Sequence, residues 1–346
     1  MSTKQGLSRW VQLWGAIAGI LILFSGCQPT PSNSPPPINQ PSPTPSLAPQ
    51  PTSTSTAMPL SFPLVTRDAL IGHLQSLDFE RYTDTERLRA RDYLRETLTS
   101  AGWKATEQEF ATGINVIAER PGLNPEAGMI LVAAHYDSVQ GSPGADDNAS
   151  GVAVALEVAR LLADRPTPRG LRIVFFDQEE AGLVGSYAYV QQPTNLENLA
   201  AVVVLEMLGY SCDEPGCQQQ PNGLLVDTPS DRGDFLGIVG DTEHLPLLET
   251  FQQIHQDHLP PLVTVPIPLK GLLTPIVLRS DHTPFWQKEI GAVMLTDTAN
   301  FRNPHYHQAT DQLATLNFDF LQGNAQIVVN AVTALLESQV SLQTAP

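Results

Sequence analysis

The chain has 346 residues, with 36 Asp or Glu against 19 Lys or Arg, so its formal net charge is −17. This acidic balance argues against a nucleic-acid-binding surface, which requires a basic patch, and three cysteines are too few for a small disulfide-stabilised domain. No stretch of about 20 apolar residues follows residue 25, which excludes a protein with several transmembrane helices, so the composition indicates an acidic globular domain.

Residues 1–27 resemble the signal peptide of a bacterial lipoprotein. Two basic residues precede an apolar run of 15 residues from Trp10 to Phe24, which is short for a membrane span and typical of a signal sequence. The tripeptide ending at Cys27 resembles the end of a lipobox, although Phe24 stands where Leu is usual. We therefore expect a lipid on Cys27 and an extracytoplasmic protein held on the periplasmic or cell-surface side of a bacterial membrane. An uncleaved signal anchor is the alternative.

Residues 28–60 are rich in Pro, Ser and Thr, and no charged residue occurs between Cys27 and Arg67. Such a segment cannot bury enough apolar surface to offset the entropy cost of ordering it. We predict a disordered linker over 28–60 and one folded domain over 61–340.

The folded part reads as alternating helices and strands. Helical periodicity covers 67–101, and later helical stretches are predicted over 149–164, 181–191, 243–257 and 317–338. Short Val- and Ile-rich runs predict strands at Ile114–Ala118, Met129–Ala134, Leu171–Phe176, Ala201–Leu205, Phe235–Val239 and Ala292–Leu295. Because these runs lack regular polar alternation, the sheet should be covered on both faces. The predicted fold class is α/β, a three-layer α/β/α sandwich with a mixed, largely parallel central sheet.

Histidine and acidic residues follow three of the predicted strands, where ligands bind in sheets of this kind. His135 and Asp137 follow the second strand, Glu179 and Glu180 follow the third, and Glu206 follows the fourth. Residues of the same types recur in a turn and in two later loops, at Asp146, Asp147, Asp281, His305 and His307. We expect these side chains to meet at one edge of the sheet.

Histidine and carboxylate ligands in such numbers suit Zn²⁺. A two-zinc hydrolase needs one His and carboxylates for each ion, a carboxylate that bridges the ions, and a further Glu that accepts a proton from water. The chain contains no GxSxG nucleophile elbow, no P-loop and no GxGxxG motif. The residues therefore favour a metal-dependent hydrolase.

The segments HYDS, GADDNASG, DQEEAG, SDHTPF and HYH occur in the order found in the M28 family of zinc peptidases. Over about 115–338 the chain resembles the bacterial leucyl-type aminopeptidases of that family. The resemblance implies a phosphorylase/hydrolase-like fold of the zinc-peptidase type, two zinc ions per chain, and peptide substrates shortened from their N-termini by a metal-bound hydroxide.

The resemblance also implies the metal ligands. One zinc would be held by His135, Asp147 and Glu206, and the other by Asp147, Glu180 and His307. Glu206 stands where the family commonly has Asp. Asp147, rather than Asp146, matches the bridging position, and the family often has a cis peptide bond after it. Helix capping is the alternative role for Asp147.

Four further residues have implied roles. Glu179 matches the general base, Tyr306 matches a position that stabilises the oxyanion in some members, and Asp137 matches the carboxylate that orients His135. Asp281 matches a motif at the edge of the site. His305 is the competitor of His307 for the last ligand position.

Two other functions stay open at this stage. A glutaminyl-cyclase-like enzyme would share several of these segments but use one zinc, and a non-catalytic lipoprotein would bind peptides in an inactive cleft. GADDNASG favours the two-metal peptidase. Outside the motifs, we predict a local disulfide between Cys212 and Cys217, and a solvated surface position for His244, His255 and His258. Side-chain preference and oligomeric state are not predicted.

Overall fold

A computed structural model describes residues 60–224, 226, 228 and 231–344. The predicted signal peptide at 1–27 lies outside the described residues, as does the predicted linker at 28–60 apart from its last residue. Within the described part, no helix is both long enough and apolar enough to cross a membrane.

Eight strands form one sheet at the centre of the described part. They are β1 (Ala105–Glu109), β2 (Ile114–Arg120), β3 (Met129–His135), β4 (Gly170–Phe176), β5 (Leu199–Glu206), β6 (Leu236–Asp241), β7 (Leu262–Ile267) and β8 (Ala292–Thr296). Their spatial order is β1-β2-β4-β3-β5-β8-β6-β7. The four central strands, β4, β3, β5 and β8, run parallel, whereas β2 and β6 flank them in the antiparallel direction. The carboxyl ends of the central strands therefore lie at one edge of the sheet.

Helices cover both faces of this sheet. They are α1 (Arg67–Ser76), α2 (Asp84–Ser100), α3 (Gly151–Leu162), α4 (Val184–Val190), α5 (Pro193–Leu196), α6 (Leu245–Gln253), α7 (Thr283–Trp286) and α8 (Phe318–Glu337). Successive residues of a strand point to opposite faces, so Ile130 and Val132 of β3 pack with α1, α2, α3, α6 and α8. Leu131 and Ala133 pack on the other face, with α4 and α7. This arrangement confirms the predicted α/β class with a mixed, largely parallel sheet.

Helix α3 lies deep in the larger layer because its sequence is dominated by Ala, Val and Leu. Arg160 is its one exposed residue, and Glu157 is buried but paired with it, with Arg160 Nε 2.7 Å from Glu157 Oε1. At the N-terminus of α2, Thr83 and Glu86 form a reciprocal capping box. The predicted helical stretch at 67–101 is thus two helices, interrupted between Leu77 and Thr83.

Two strands, β1 and β7, were not predicted from the sequence. Strand β1 reads ATEQE, is mostly polar, and pairs only with β2 at one edge of the sheet. Strand β7 contains Pro266 and forms the opposite edge beside β6. Edge strands bury little surface and tolerate polar residues and proline, so neither has the apolar run by which the central strands were recognised.

The prediction that His244 lies on the solvated surface was wrong. Its side chain is buried, and Nδ1 lies 2.6 Å from Oδ1 of Asp241 at the end of β6. Lys270 Nζ lies 3.6 Å from the same oxygen. His258 is exposed, as predicted, whereas His255 is half-buried. Beyond β5, the structure contains a disulfide between Cys212 and Cys217.

Candidate metal centre

Parallel strand register brings the first two candidate ligands together. In the β3–β5 pair, Ala133 lies opposite Val204, so His135 and Glu206 end their strands side by side. Nε2 of His135 lies 3.4 Å from Oε1 of Glu206. The neighbouring imidazole and carboxylate are a direct consequence of two adjacent strands ending at the same level.

The turn Ala145–Ser150, between β3 and α3, supplies Asp147. Its Oδ1 lies 3.3 Å from Nε2 of His135, and its Oδ2 lies 3.3 Å from Nε2 of His307. The peptide bond between Asp147 and Asn148 is cis. The structure therefore places Asp147, and not Asp146, between the two histidines.

Backbone hydrogen bonds hold this turn in place. Asp311 accepts one from the amide of Asp146 at 2.9 Å and one from the amide of Asp147 at 3.0 Å. Asn148 donates to the carbonyl of Leu205 at 2.8 Å and accepts from the amide of Met207 at 3.1 Å. The turn is thus tied both to the end of β5 and to the loop that carries His307.

Asp146 has a supporting position that the sequence analysis did not assign. Its carboxylate is buried and accepts hydrogen bonds from the amide of Gly209 and from Nδ2 of Asn303, both at 2.8 Å. These contacts join the segment after β5 to the segment before His307. Asp311 and Asn303 were missed as site residues, and Asp146 was given no role, because each acts through backbone or loop contacts that have no sequence motif of their own.

Arg81, which the sequence analysis also missed, holds the chain that leads into this turn. Its guanidinium is fully buried and donates to the backbone carbonyls of Tyr136 at 2.8 Å, Pro143 at 2.6 Å and Gly144 at 2.8 Å. Gly144 has φ +62, and a Cβ there would lie 2.2 Å from the carbonyl oxygen of Asp147. The entry to the turn therefore requires glycine.

The residues after β4 complete the second cluster. Glu180 Oε2 lies 3.0 Å from Nε2 of His307. Asp137 accepts hydrogen bonds from the backbone amides of Glu179 at 3.0 Å and Glu180 at 3.2 Å, and its Oδ1 lies 3.4 Å from Nδ1 of His135. One carboxylate thus orients a candidate ligand on β3 and the Glu pair after β4.

Together these side chains form two groups of donor atoms, each group spanning less than 4.8 Å. The first contains His135, Asp147 and Glu206, and the second contains Asp147, Glu180 and His307. Buried Oδ2 of Asp147, Oε1 of Glu180 and Nε2 of His307 have no hydrogen-bond partner in the described structure. Imidazole nitrogens and carboxylate oxygens with unsatisfied lone pairs are the donor set that Zn²⁺ takes, so the residues fit two zinc ions that share Asp147.

The pKa values in this cluster show how closely its charges are packed. Burial, followed by the charge of the Asp147 carboxylate, raises the pKa of Glu180 to about 7, although the two histidines oppose the shift. Burial lowers the pKa of His307, but the carboxylates of Asp147 and Glu180, 3.3 and 3.0 Å from its Nε2, outweigh this effect and raise the pKa to about 10. Burial would raise the pKa of Asp147, yet the two histidines hold it below its usual range. A divalent cation would relieve the repulsion between these carboxylates.

Glu179 lies beside both groups and belongs to neither. Its side chain is 9% exposed and lines the same cavity as the candidate ligands. Burial raises its pKa well above the ordinary range; the imidazole of His135 opposes this effect, and Glu206 adds to it. A buried carboxyl group with a raised pKa beside candidate metal ligands is a candidate to accept and return a proton.

Asp281 and Ser280 lie behind Glu206. Ser280 Oγ donates to Glu206 Oε2 at 2.5 Å, a contact that the sequence analysis did not predict. Asp281 is fully buried; burial raises its pKa to about 7, and Glu206 and Asp137 also raise it, while His135 lowers it. Ser280 therefore orients a candidate ligand, whereas neither carboxylate oxygen of Asp281 has a hydrogen-bond partner in the described structure.

Tyr306 lies against the second histidine. Its ring stacks on that of His307 with centroids 3.7 Å apart, and its hydroxyl accepts a hydrogen bond from Arg279 at 3.0 Å. Burial and the nearby Asp147 raise the pKa of Tyr306, while Arg279 opposes the shift. The phenol is therefore protonated at neutral pH and can donate a hydrogen bond. His305 instead bonds to Thr310, with 2.9 Å between Nδ1 and Oγ1.

A cavity of about 530 Å³ opens beside the cluster. The carboxylates of Asp147, Glu179, Glu180 and Glu206 line one part of it. Apolar side chains line much of the rest, among them Leu183, Phe235, Val239, Val265, Ile276 and Met294. The cavity therefore offers space for an apolar group beside the candidate metal ligands.

Residues 115–332 match the sequence model of peptidase family M28. The chain belongs to this family. This M28 chain is 33% identical over 276 residues to the uncharacterized protein YfbL of Escherichia coli (strain K12), with 72% of this chain and 80% of YfbL covered. It is 29% identical over 245 residues to aminopeptidase YwaD of Bacillus subtilis (strain 168), with 67% and 47% covered, and so spans about half the length of that relative.

Solved structures of similar fold include three named enzymes. LapA aminopeptidase of Legionella pneumophila has a TM-score of 0.62 at 19% identity, covering 79% of this chain and 72% of its own. BSAP, a zinc aminopeptidase from Bacillus subtilis, has a TM-score of 0.50 at 25% identity, covering 65% of this chain and 50% of its own. Porphyromonas gingivalis glutaminyl cyclase has a TM-score of 0.55 at 20% identity, covering 77% of this chain and 97% of its own. By family the M28 chain is a peptide hydrolase, and family and neighbours support zinc as its metal.

Proposed function

We propose that this M28 peptidase is a two-zinc aminopeptidase that removes N-terminal residues from peptides. The observation that carries the proposal is the pair of donor groups sharing Asp147, with Glu179 beside them and in neither group. One zinc would be held by His135, Asp147 and Glu206, and the other by Asp147, Glu180 and His307. The name of relative YwaD supports the N-terminal direction of cleavage.

Bound zinc would act as a Lewis acid towards the scissile carbonyl and would lower the pKa of water. Glu179 accepts a proton at its carboxylate from the water molecule whose oxygen bonds to the peptide carbon, and it gives this proton to the amine nitrogen as the C–N bond breaks. Tyr306 donates its hydroxyl hydrogen to the carbonyl oxygen as negative charge develops there. Asp137 keeps His135 and the Glu179–Glu180 backbone in the orientation that these steps require.

The test is hydrolysis of a panel of aminoacyl-p-nitroanilides by the purified protein, with zinc content measured on the same sample. We expect release of p-nitroaniline that a chelator abolishes and zinc restores, and about two zinc ions per chain. The ranking of the panel would give the side-chain preference. Zinc-loaded protein that releases nothing from any aminoacyl substrate would contradict the proposal.

A glutaminyl-cyclase-like reaction is the second candidate, favoured by the fold shared with the Porphyromonas gingivalis enzyme. It predicts conversion of N-terminal Gln peptides to pyroglutamyl peptides with one bound zinc. Two complete donor groups favour the peptidase instead. Mass spectrometry of a Gln-initiated peptide separates the two, because cyclisation removes ammonia and leaves the chain length unchanged.

We also propose that the protein is a lipoprotein anchored through Cys27, on the extracytoplasmic side of a bacterial membrane. The apolar run from Trp10 to Phe24 and the lipobox-like tripeptide support this proposal. Labelling with a radioactive fatty acid tests it. Wild-type protein should carry the label and a Cys27→Ala variant should not; equal labelling of both would overturn it.

A further inference from the structure

Arg279 is the one basic side chain among the described residues that line the cavity beside the metal centre. The other charged groups of that lining are carboxylates, namely Asp147, Glu179, Glu180 and Glu206. The carboxylates cluster at the donor groups, the acidic end of the cavity, and Arg279 is the one positive side chain that the described lining offers to a ligand. Its guanidinium points to a ligand with an anionic group.

Neutral groups hold the Arg279 guanidinium. Nη1 donates to Oδ1 of Asn300 at 2.9 Å, and Nη2 donates to the hydroxyl of Tyr306 at 3.0 Å. In the described structure no carboxylate pairs with it, whereas Arg172 in the sheet pairs with Glu119 at 2.8 Å. Arginine has five N–H donors in a planar fork, so Arg279 is oriented but keeps its charge and free donors. Its side chain is exposed to the cavity.

Arg279 is close to both donor groups. It contacts Tyr306, whose ring stacks on that of His307 with centroids 3.7 Å apart. The next residue, Ser280, bonds to Glu206 at 2.5 Å. The position of Arg279 is therefore fixed relative to each candidate zinc site through one intervening residue.

We propose that Arg279 binds the C-terminal carboxylate of the substrate and that the preferred substrates are dipeptides with a free carboxylate. This inference rests on the proposed aminopeptidase activity. Consecutive Cα atoms are about 3.8 Å apart, so in a dipeptide the carboxylate lies one residue beyond the scissile carbonyl, within the reach of a long side chain beside the metal centre. Guanidinium matches a carboxylate with two parallel hydrogen bonds. The substrate ammonium group would face the acidic end.

The experiment compares Leu-Ala with Leu-Ala-amide, which differ only in the carboxylate, and adds Leu-Ala-Ala as a longer acid. For the zinc-loaded wild type we expect kcat/KM for Leu-Ala to exceed that for the amide by about tenfold or more, mainly through KM, because charged hydrogen bonds are the strong ones. Arg279→Gln removes the hydrogen bond to Tyr306 for both substrates, so the readout is the ratio of their kcat/KM values: the loss for Leu-Ala should exceed the loss for the amide by about tenfold, mainly through KM. Arg279→Lys should keep part of the preference.

Arg95→Gln is the matched control, because Arg95 is exposed on α2 and pairs with Glu107 at 3.5 Å. This variant should leave kcat/KM for both substrates unchanged. Equal kcat/KM for Leu-Ala and its amide in the wild type would overturn the inference and leave the aminopeptidase standing. Equal losses on both substrates in Arg279→Gln would also overturn it, and would assign Arg279 to the positioning of Tyr306.

A binding measurement makes the result independent of turnover and of how the Arg279 variants fold. Calorimetry with zinc-loaded Glu179→Gln should show tighter binding of Leu-Ala than of Leu-Ala-amide. Equal binding would count against the inference. No hydrolysis of either substrate by zinc-loaded wild type would instead overturn the proposed aminopeptidase, and this inference with it.

Discussion

Glu179 gives the sharpest test at the scale of single residues. A Gln at this position keeps the size of the side chain and the backbone amide that bonds to Asp137, but it cannot accept the proton. We expect Glu179→Gln to lower kcat by about 10²- to 10⁴-fold, the usual contribution of a general base. Zinc content should be unchanged, because neither donor group contains Glu179. Loss of zinc in parallel with kcat would show that Glu179 holds the metal.

Asp137 tests whether orientation of a ligand matters as much as the ligand itself. Its carboxylate contacts His135 and the amides of Glu179 and Glu180, and an Asn side chain would retain only one acceptor oxygen. We expect Asp137→Asn to weaken zinc affinity by about 10- to 100-fold. Competition with a chromogenic chelator measures this affinity. Asp68→Asn, on the exposed face of α1, is the control, and equal affinities in the two variants would contradict the role.

At the scale of elements, the turn Ala145–Ser150 depends on Asp311. Both oxygens of Asp311 accept backbone amides of the turn, and Asp311→Ala would leave these two amides buried without partners. Since each such amide costs about 1–3 kcal/mol, we expect the free energy of unfolding to fall by roughly 2–6 kcal/mol. Denaturant unfolding measures the change.

Zinc affinity is the second readout for this variant, because the amide of Asp147 is one of the two that Asp311 holds. It should fall together with stability. Asp319→Ala at the exposed start of α8 is the control. A variant of Asp311 that unfolds like wild type would show that the turn is held by other contacts.

Asp297, just after β8, links two loops and gives the stability a pH dependence. It is buried and accepts the amides of Tyr210 and Ala299 at 2.9 Å each. Burial raises its pKa to about 6, although Arg302 opposes the shift. The native state therefore binds this proton more tightly than the unfolded state, whose Asp pKa is about 3.9. The stabilising contribution is complete below about pH 3.9 and is lost as pH rises through about 6.

We expect wild type to lose unfolding free energy relative to Asp297→Asn between about pH 4 and pH 7, by at most about 3 kcal/mol. Denaturant unfolding of chelated protein at several pH values measures this difference without a contribution from zinc binding. The free energy of unfolding of the control variant Asp68→Asn should change with pH in the same way as that of the wild type. A wild-type stability that rises relative to Asp297→Asn over this range would reverse the sign and refute the assignment.

At the scale of the whole molecule, the candidate ligands come from the ends of β3, β4 and β5 and from loops that include the one before α8, so bound zinc should stabilise the entire domain. Zinc at about 1,000 times its Kd adds about 4 kcal/mol, which corresponds to a rise in Tm of roughly 10 °C for a domain of this size. Thermal unfolding with chelator and with zinc checks this. A Tm that does not respond to zinc would mean that the donor groups bind no metal in the native state.

Much of the fold and of the metal centre followed from the sequence alone. The central strands were recognisable because a strand buried on both faces must be apolar along its length, as in Leu131, Val132 and Ala133. His135 and Asp147 were predicted as ligands because the short segments HYDS and GADDNASG resemble those of the M28 family. Both signals are local, so they could be read from neighbouring residues in the chain.

Only the tertiary structure decided the rest, because those contacts join residues that are distant in sequence and follow no motif. Strands β1 and β7 form by pairing with β2 and β6 at the two edges of the sheet. The imidazole of His244 is buried where it can hydrogen-bond to the carboxylate of Asp241. Asp311 reaches back 165 residues to the amide of Asp146. Arg279 is oriented by a hydrogen bond to Tyr306, which lies on a different loop. Residue chemistry determined which side chains can act, and strand register and loop packing determined which of them meet.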